Sequence, residues 1–353
     1  MPLYVYAIVP ARADGAAAFG VDCAAGRLDT IAAGSFAAVV GDGPHTGGLG
    51  RSREALVPQL LAHQRTIEQI MQTVPLLPVK FGTFVPDAAS VCAILERGSP
   101  AFRAAFDRLK NCVQVEIRVE WDVQAVFAEI ANEEAITELR QECKLNSDAS
   151  EEGLCIALGR HVKQSLESRR SALAAALSES LRAVAVDAIA YPATADQIVL
   201  HLMLLMRTGE MAALDRCLEA LDAAHDGRLT YRCIGPLAPY SFATVEIEVV
   251  EVAALSQAMR LLDVGPATNA AEIQMAYRRA AKHAHPDMAG AGVNGNTSMA
   301  ALTDACRLLS LHAEAGGRQR DKGADLPFGR PCLTGRSVLV SVRRQERTVD
   351  ASA

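Results

Sequence analysis

The tripeptide His285-Pro286-Asp287 follows three cations, Arg278, Arg279 and Lys282, on a segment of helical spacing that ends at His283. The cations stand at i, i+1 and i+4, near one helix face, and form a positive stripe suited to steering toward an acidic partner surface. Pro286 stiffens the loop, and His285 and Asp287 are able to hydrogen-bond across it. A metal reading of His283, His285 and Asp287 needs the three side chains to converge, and the helix end followed by Pro286 works against that. No metal is expected.

Other candidate chemistry is weaker. The glycine-rich run 41–50 lacks the Gly-Lys-Ser/Thr step that brings an ammonium and a hydroxyl to phosphate and magnesium, so it reads as a surface loop. His63 and Glu68 stand within a helical pattern without companions at nucleophile or metal spacing, and read as solvent-facing or packing groups. There is no Gly-x-Ser-x-Gly elbow and no dinucleotide fingerprint. The chain is therefore expected to be no enzyme and to use no cofactor.

The formal charge of -6 over 353 residues argues against general nucleic-acid binding, which needs clustered Lys and Arg. Nine cysteines without a Cys-x-x-Cys pair read as small buried hydrophobes in a reducing compartment, and no secretory signal is expected. The longest apolar run, 198–206, is interrupted by His201 and too short to span a bilayer, so no membrane partner is expected. A cytoplasmic location follows.

These residues need elements to position them. Strands are expected over 3–9 and 31–40, and a helix over 52–74 with Ser52 as its cap. The stretch 75–87 alternates β-formers between prolines and reads as a buried strand, with Gly82 as a bulge or close approach. A helix over 88–110 is expected to break at Gly98-Ser99-Pro100. From 113 onward the order is strand, helices, strand, strand, helix, strand, with a further strand over 242–250. That order matches a ferredoxin-like βαββαβ unit whose first crossover carries a helical hairpin. Helices follow over 255–262, 270–283 and 297–312, and 337–342 is able to add an edge strand.

Four segments carry a resemblance: Leu3-Tyr4-Val5-Tyr6-Ala7-Ile8-Val9; the stretch with Pro78, Lys80, Phe81, Gly82 and Thr83; Val113-Gln114-Val115-Glu116-Ile117-Arg118-Val119-Glu120-Trp121; and the run with Gly235, Pro236, Pro239, Tyr240, Ser241 and Phe242. Together they resemble the GvpF/GvpL family of gas vesicle accessory proteins over about residues 3–250. The resemblance implies a non-enzymatic assembly factor that binds the hydrophobic gas vesicle shell protein and is associated with gas vesicles.

The helical segment with His285-Pro286-Asp287 resembles a J-domain, the DnaJ-like co-chaperone module that recruits Hsp70. On that resemblance Arg278, Arg279, Lys282 and His285-Pro286-Asp287 are the recruiting residues, and Asp287 helps to trigger ATP hydrolysis in the partner. A general J-domain co-chaperone with another client is the alternative.

The expected architecture is α+β: an N-terminal α/β domain (1–110), a ferredoxin-like domain (111–252) with a helical insertion at about 123–182, an all-α J-domain-like module (253–315) and a mobile tail (316–353).

Overall fold

The computed structural model describes residues 2–11, 22–23, 26–43, 53–145, 151–266, 268–284, 299–317 and 336–345. The chain divides into two compact units, Met1–Lys110 with Ala243–Arg344 and Asn111–Phe242 with Gln345–Ala353.

The first unit begins with β1 (Leu3–Pro10), whose residues from Tyr4 to Val9 are all buried, as in a strand covered on both faces. Asp22–Cys23 (β2) and Gly26–Arg27 (β3) form a separate two-residue ribbon. The single strand expected over 31–40 is instead a hairpin, β4 (Asp29–Ala33) and β5 (Phe36–Gly41), turned at Gly34 with φ 64°. Glycine takes that φ at no steric cost.

After α1 (Arg53–Met71), the stretch expected to be one strand forms two short ones, β6 (Leu77–Pro78) and β7 (Phe84–Val85), both antiparallel to β1. Gly82, at φ 83°, sits in the turn between them. The sheet runs β4-β5-β1-β6, with β7 on β1.

Helix α2 (Ala88–Leu109) is capped by Asp87, which accepts from the Ser90 N–H at 2.8 Å. It runs unbroken through the Gly98-Ser99-Pro100 step where a break was expected. Ile94, Leu95, Phe102, Ala105 and Leu109 are buried on both sides of Pro100, and this continuous buried face holds the helix together.

The second unit holds β8 (Cys112–Trp121), α3 (Val123–Ile130), α4 (Glu134–Leu145), α5 (Glu151–Ala183), β9 (Asp187–Tyr191), β10 (Ile198–Arg207), α6 (Met211–Ala224) and β11 (Leu229–Leu237). Its antiparallel sheet has the order β11-β8-β10-β9. Val113, Val115, Ile117 and Val119 alternate into one core with Leu202, Leu204, Met206, Leu177, Leu181 and Leu214. The alternation that predicts one apolar and one polar face of β8 is thus realised. Helices α3, α4 and α5 share a smaller core of Ile130, Ile136 and Leu166.

The chain then returns to the first unit. β12 (Thr244–Glu251) pairs along its whole length, antiparallel, with β13 (Arg336–Arg343). Helices α7 (Val252–Leu262), α8 (Ala270–Ala284) and α9 (Met299–Gly317) pack on one another, and α7 and α9 also pack on this ribbon, burying Leu255, Met259, Ile273, Ala276, Leu309 and Leu339. The start of α8 carries a capping box: the Glu272 N–H donates to Asn269 Oδ1 (2.9 Å) and the Asn269 N–H to Glu272 Oε2 (3.0 Å).

Candidate functional site

The stretch 75–87 is held by a hydrogen-bonded relay that starts from two aromatic residues of β1. The Gly82 N–H donates to Tyr4 Oη (3.0 Å), and Tyr4 Oη lies 2.9 Å from Nδ1 of His63 on α1. Oη keeps a second lone pair and its own proton, so the imidazole tautomer sets which atom donates in the Tyr4–His63 bond. Around this relay Tyr6 stacks on His63 with centroids 5.6 Å apart, and Phe81 meets the same imidazole edge-on at 5.5 Å. Burial pushes the Tyr4 phenol up to about 12, against a weaker pull from the Gly82 amide. Burial likewise pushes His63 down to about 4, with the Val79 backbone acting weakly in the opposite sense. His63 is thus a neutral packing residue, one of the two roles read for it from sequence.

Beside the relay the sheet splits. The Val79 N–H donates to the Tyr6 carbonyl (3.0 Å), and the Lys80 N–H to the Val245 carbonyl (2.9 Å), where Val79 and Val245 form a single parallel bridge. Beyond Lys80 the chain turns away to follow β1, and the Val5 N–H donates to the Thr83 carbonyl (3.1 Å). The space between 80–84 and β12 is a cavity of about 570 Å³.

The cavity is charged. Glu246 accepts from Lys80 Nζ and Arg343 Nε, each at 2.9 Å, and Glu248 accepts a forked pair from Arg307 at 2.9 and 3.1 Å. Leu311, Leu339 and half-exposed Phe84 supply apolar wall.

The second unit positions the other motif. Gly235 and Pro236 lie in β11 at a register shift, where a Cβ on Gly235 would stand 3.1 Å from the Gln114 carbonyl. That close approach explains the glycine. Pro239 and Tyr240 are in the turn that follows, and the Tyr240 N–H donates to the Ala238 carbonyl at 2.7 Å. Buried Gln114 accepts from the Ser241 N–H through Oε1 (2.8 Å), and Ser241 Oγ lies 3.2 Å from Tyr191 Oη. Phe242 is buried.

A second cavity, of about 650 Å³, is lined in part by Trp121, Glu129, Arg169, His225 and Arg228. Its charges are mutually engaged, Arg169 with Glu129 at 2.6 Å and Arg228 with Glu129 at 3.9 Å.

The cations on α8 are positioned as a stripe: Arg278, Arg279 and Lys282 are all exposed, opposite the buried Ile273 and Ala276. His285, Pro286 and Asp287 lie outside the described residues. The sequence pattern missed Tyr4, Glu246, Glu248, Arg307 and Arg343 as partners of the Lys80 segment. Nothing local could have found them, because Lys80 and Glu246 are 166 positions apart.

These features can be set beside known proteins. The family model "Gas vesicle synthesis protein GvpL/GvpF" matches residues 2–244. The chain belongs to the GvpL/GvpF family. A gas vesicle protein F from Streptomyces sp. (strain CB03234) is 28 % identical to this GvpL/GvpF chain over 219 residues, which are 59 % of this chain and 84 % of the relative. Among solved structures, GvpF from Anabaena sp. PCC7120 has a TM-score of 0.58 at 20 % identity, covering 68 % of this chain and 97 % of that one. GvpF from Microcystis aeruginosa has a TM-score of 0.53 at 20 % identity, covering 68 % and 98 %.

The mixed α+β fold of this GvpL/GvpF chain, with its several antiparallel sheets, is thus like that of the GvpF structures. The family gives the chain a role in gas vesicle formation. Both quoted segments, 78–83 and 235–242, fall inside the matched residues, whereas α7, α8, α9 and β13 lie beyond them. Among the described residues no helix is long and apolar enough to cross a membrane.

Proposed function

We propose that this chain is a non-enzymatic assembly factor, cytoplasmic and gas vesicle associated, that holds the hydrophobic shell protein while the vesicle forms. The family match over residues 2–244 is the observation that carries this reading. A very apolar subunit with exposed strands aggregates unless its edges are covered. An α+β protein with an unpaired strand edge is suited to that task by strand addition. The sheet order β11-β8-β10-β9, with crossovers through α3–α5 and α6, supports reading the second unit as ferredoxin-like with a helical insertion.

The helices over 253–315 are, on this reading, a J-domain-like module that brings Hsp70 to the same client. Supporting it are the packing of α8 along α9, the exposed Arg278, Arg279 and Lys282 stripe, and His285-Pro286-Asp287 directly after α8 in sequence. Arg278, Arg279 and Lys282 steer the acidic partner surface, and Asp287 acts on the partner's ATPase.

Two measurements test the two halves. The tagged chain, expressed in a gas-vesicle-forming host, should retain shell protein as its main partner, and cells lacking the gene should form no vesicles. A broad client spectrum instead would favour the general co-chaperone alternative. For the helical module, the purified protein should raise the turnover of its host Hsp70, and Asp287→Asn should abolish the increase; no stimulation by the wild type ends the Hsp70 reading.

A further inference from the structure

Helix α1 outruns its support. His63, Thr66, Ile67 and Ile70, in its second half, are buried on the side that packs on β1. In its first half Val57, Leu60 and Leu61 are 48 %, 48 % and 47 % exposed. They stand at i, i+3 and i+4, which places them on one stripe of adjoining turns. Single exposed apolar side chains are ordinary on a protein surface, whereas three on one stripe form a patch that a partner can cover.

The charges beside the stripe select the partner. Glu54 and Arg65 are both exposed, and among the described residues neither side chain has a hydrogen-bond or ion-pair partner. They are 11 positions apart, about three turns, so they share one flank of the stripe, with exposed Pro58 between them. The acid stands before the stripe and the base after it. Such an arrangement is complementary to its own reverse. Two copies of α1 laid antiparallel, about a two-fold axis level with residues 59 and 60, bring each Glu54 beside the other copy's Arg65. The same axis sets Leu60 against Leu60 and Val57 against Leu61. A parallel pair would instead put glutamate beside glutamate and arginine beside arginine. Among the described side chains of α1 the one other charged group is Glu68, which accepts from Gln64 Nε2 at 2.9 Å. It lies three positions beyond Arg65, so Arg65 stands between it and the second copy's Glu54.

We propose that the exposed stripe of α1 is an interface for a second copy of this chain, packed antiparallel through Val57, Leu60 and Leu61 and held in register by two Glu54–Arg65 ion pairs. One helix pair is smaller than a standard interface, so the dimer is weak, with a Kd of about 1–100 µM. The interface does not rest on the shell-protein reading.

Sedimentation velocity of the full chain over a concentration series tests it. The wild type should pass from monomer to dimer within that range. Leu60→Glu sets two carboxylates against each other at the axis and should abolish the dimer. Glu54→Arg and Arg65→Glu, both at exposed positions, should each weaken it at least fivefold and so serve if Leu60→Glu fails to fold. The decisive sample is an equal mixture of Glu54→Arg with Arg65→Glu. In an antiparallel pair each variant supplies the charges the other needs, so the mixture should dimerise at least fivefold more tightly than either variant alone.

A wild type that stays monomeric throughout overturns the proposal, as does a dimer that Leu60→Glu leaves intact. A mixture no tighter than its two components overturns the antiparallel register. If the wild type is monomeric and Leu60→Glu loses retained shell protein, the stripe is a client surface and the second-copy proposal falls.

Discussion

Tyr4 Oη lies 2.9 Å from His63 Nδ1, across 59 positions of sequence, and both side chains are buried. The pair ties β1 to α1 and, through the Gly82 amide, to the turn that opens the charged cavity.

Titration of His63 should destabilise the first unit in acid. Burial holds the folded imidazole at about 4 against 6.5 in the unfolded chain, so the unfolded state binds more protons between those values. Stability is complete above about pH 6.5 and is lost as pH falls toward 4, by about 3 kcal/mol from this one group. His312, also lowered by burial, adds loss of the same sign. Urea unfolding followed by near-ultraviolet dichroism of Tyr4 and Tyr6 from pH 4 to 7 should show the slope, and His63→Gln should flatten it.

Gly98→Ala should destabilise α2 even though alanine is the better helix former by about 1 kcal/mol. A Cβ there would overlap Cζ of Phe102, a fully buried ring packed edge-on against Phe36. Overpacking of this kind costs about 1–3 kcal/mol, which offsets or outweighs the propensity gain. Thermal unfolding should show the loss, and adding Phe102→Leu should cost less in the Gly98→Ala background than in the wild type.

Gln114→Leu should lower the stability of the second unit by about 1–3 kcal/mol, because the buried Ser241 N–H loses its acceptor. Tyr191→Phe removes only a partly buried bond to Ser241 Oγ and should cost less, about 1 kcal/mol. Urea melts followed by the sole tryptophan, Trp121, will rank the two variants.

Asn269→Ala should fray the start of α8 by about 1 kcal/mol, as it removes one half of the capping box. Amide exchange should accelerate over the first turn of α8 and leave α9 unchanged. Asn269→Ser should restore most of the protection.

Local pattern determined much of this protein. The alternation of Val113, Val115, Ile117 and Val119 against Gln114, Glu116, Arg118 and Glu120 is enough to specify a strand with one apolar face, and helical spacing is enough to place α1, although Leu60 and Leu61 of its apolar series are exposed. The order of strands and helices after residue 112 and the family segments were also legible, because each is a property of contiguous residues. Pro100 misled in the other direction: its local tendency to end a helix is overridden by the buried face that continues from Leu95 to Leu109.

Tertiary structure alone decided which strands meet. β12 directly follows the second unit in sequence, yet it pairs with β13, some 85–100 positions onward, and meets Val79 and Lys80 just after β6. Its alternating pattern is compatible with any sheet that offers one apolar face, so the partner is set by the packing of α2, α7 and α9 on the ribbon. The same holds for the charged cavity. Lys80, Glu246, Glu248, Arg307 and Arg343 carry no shared spacing, and only the fold brings four distant segments within ion-pair distance.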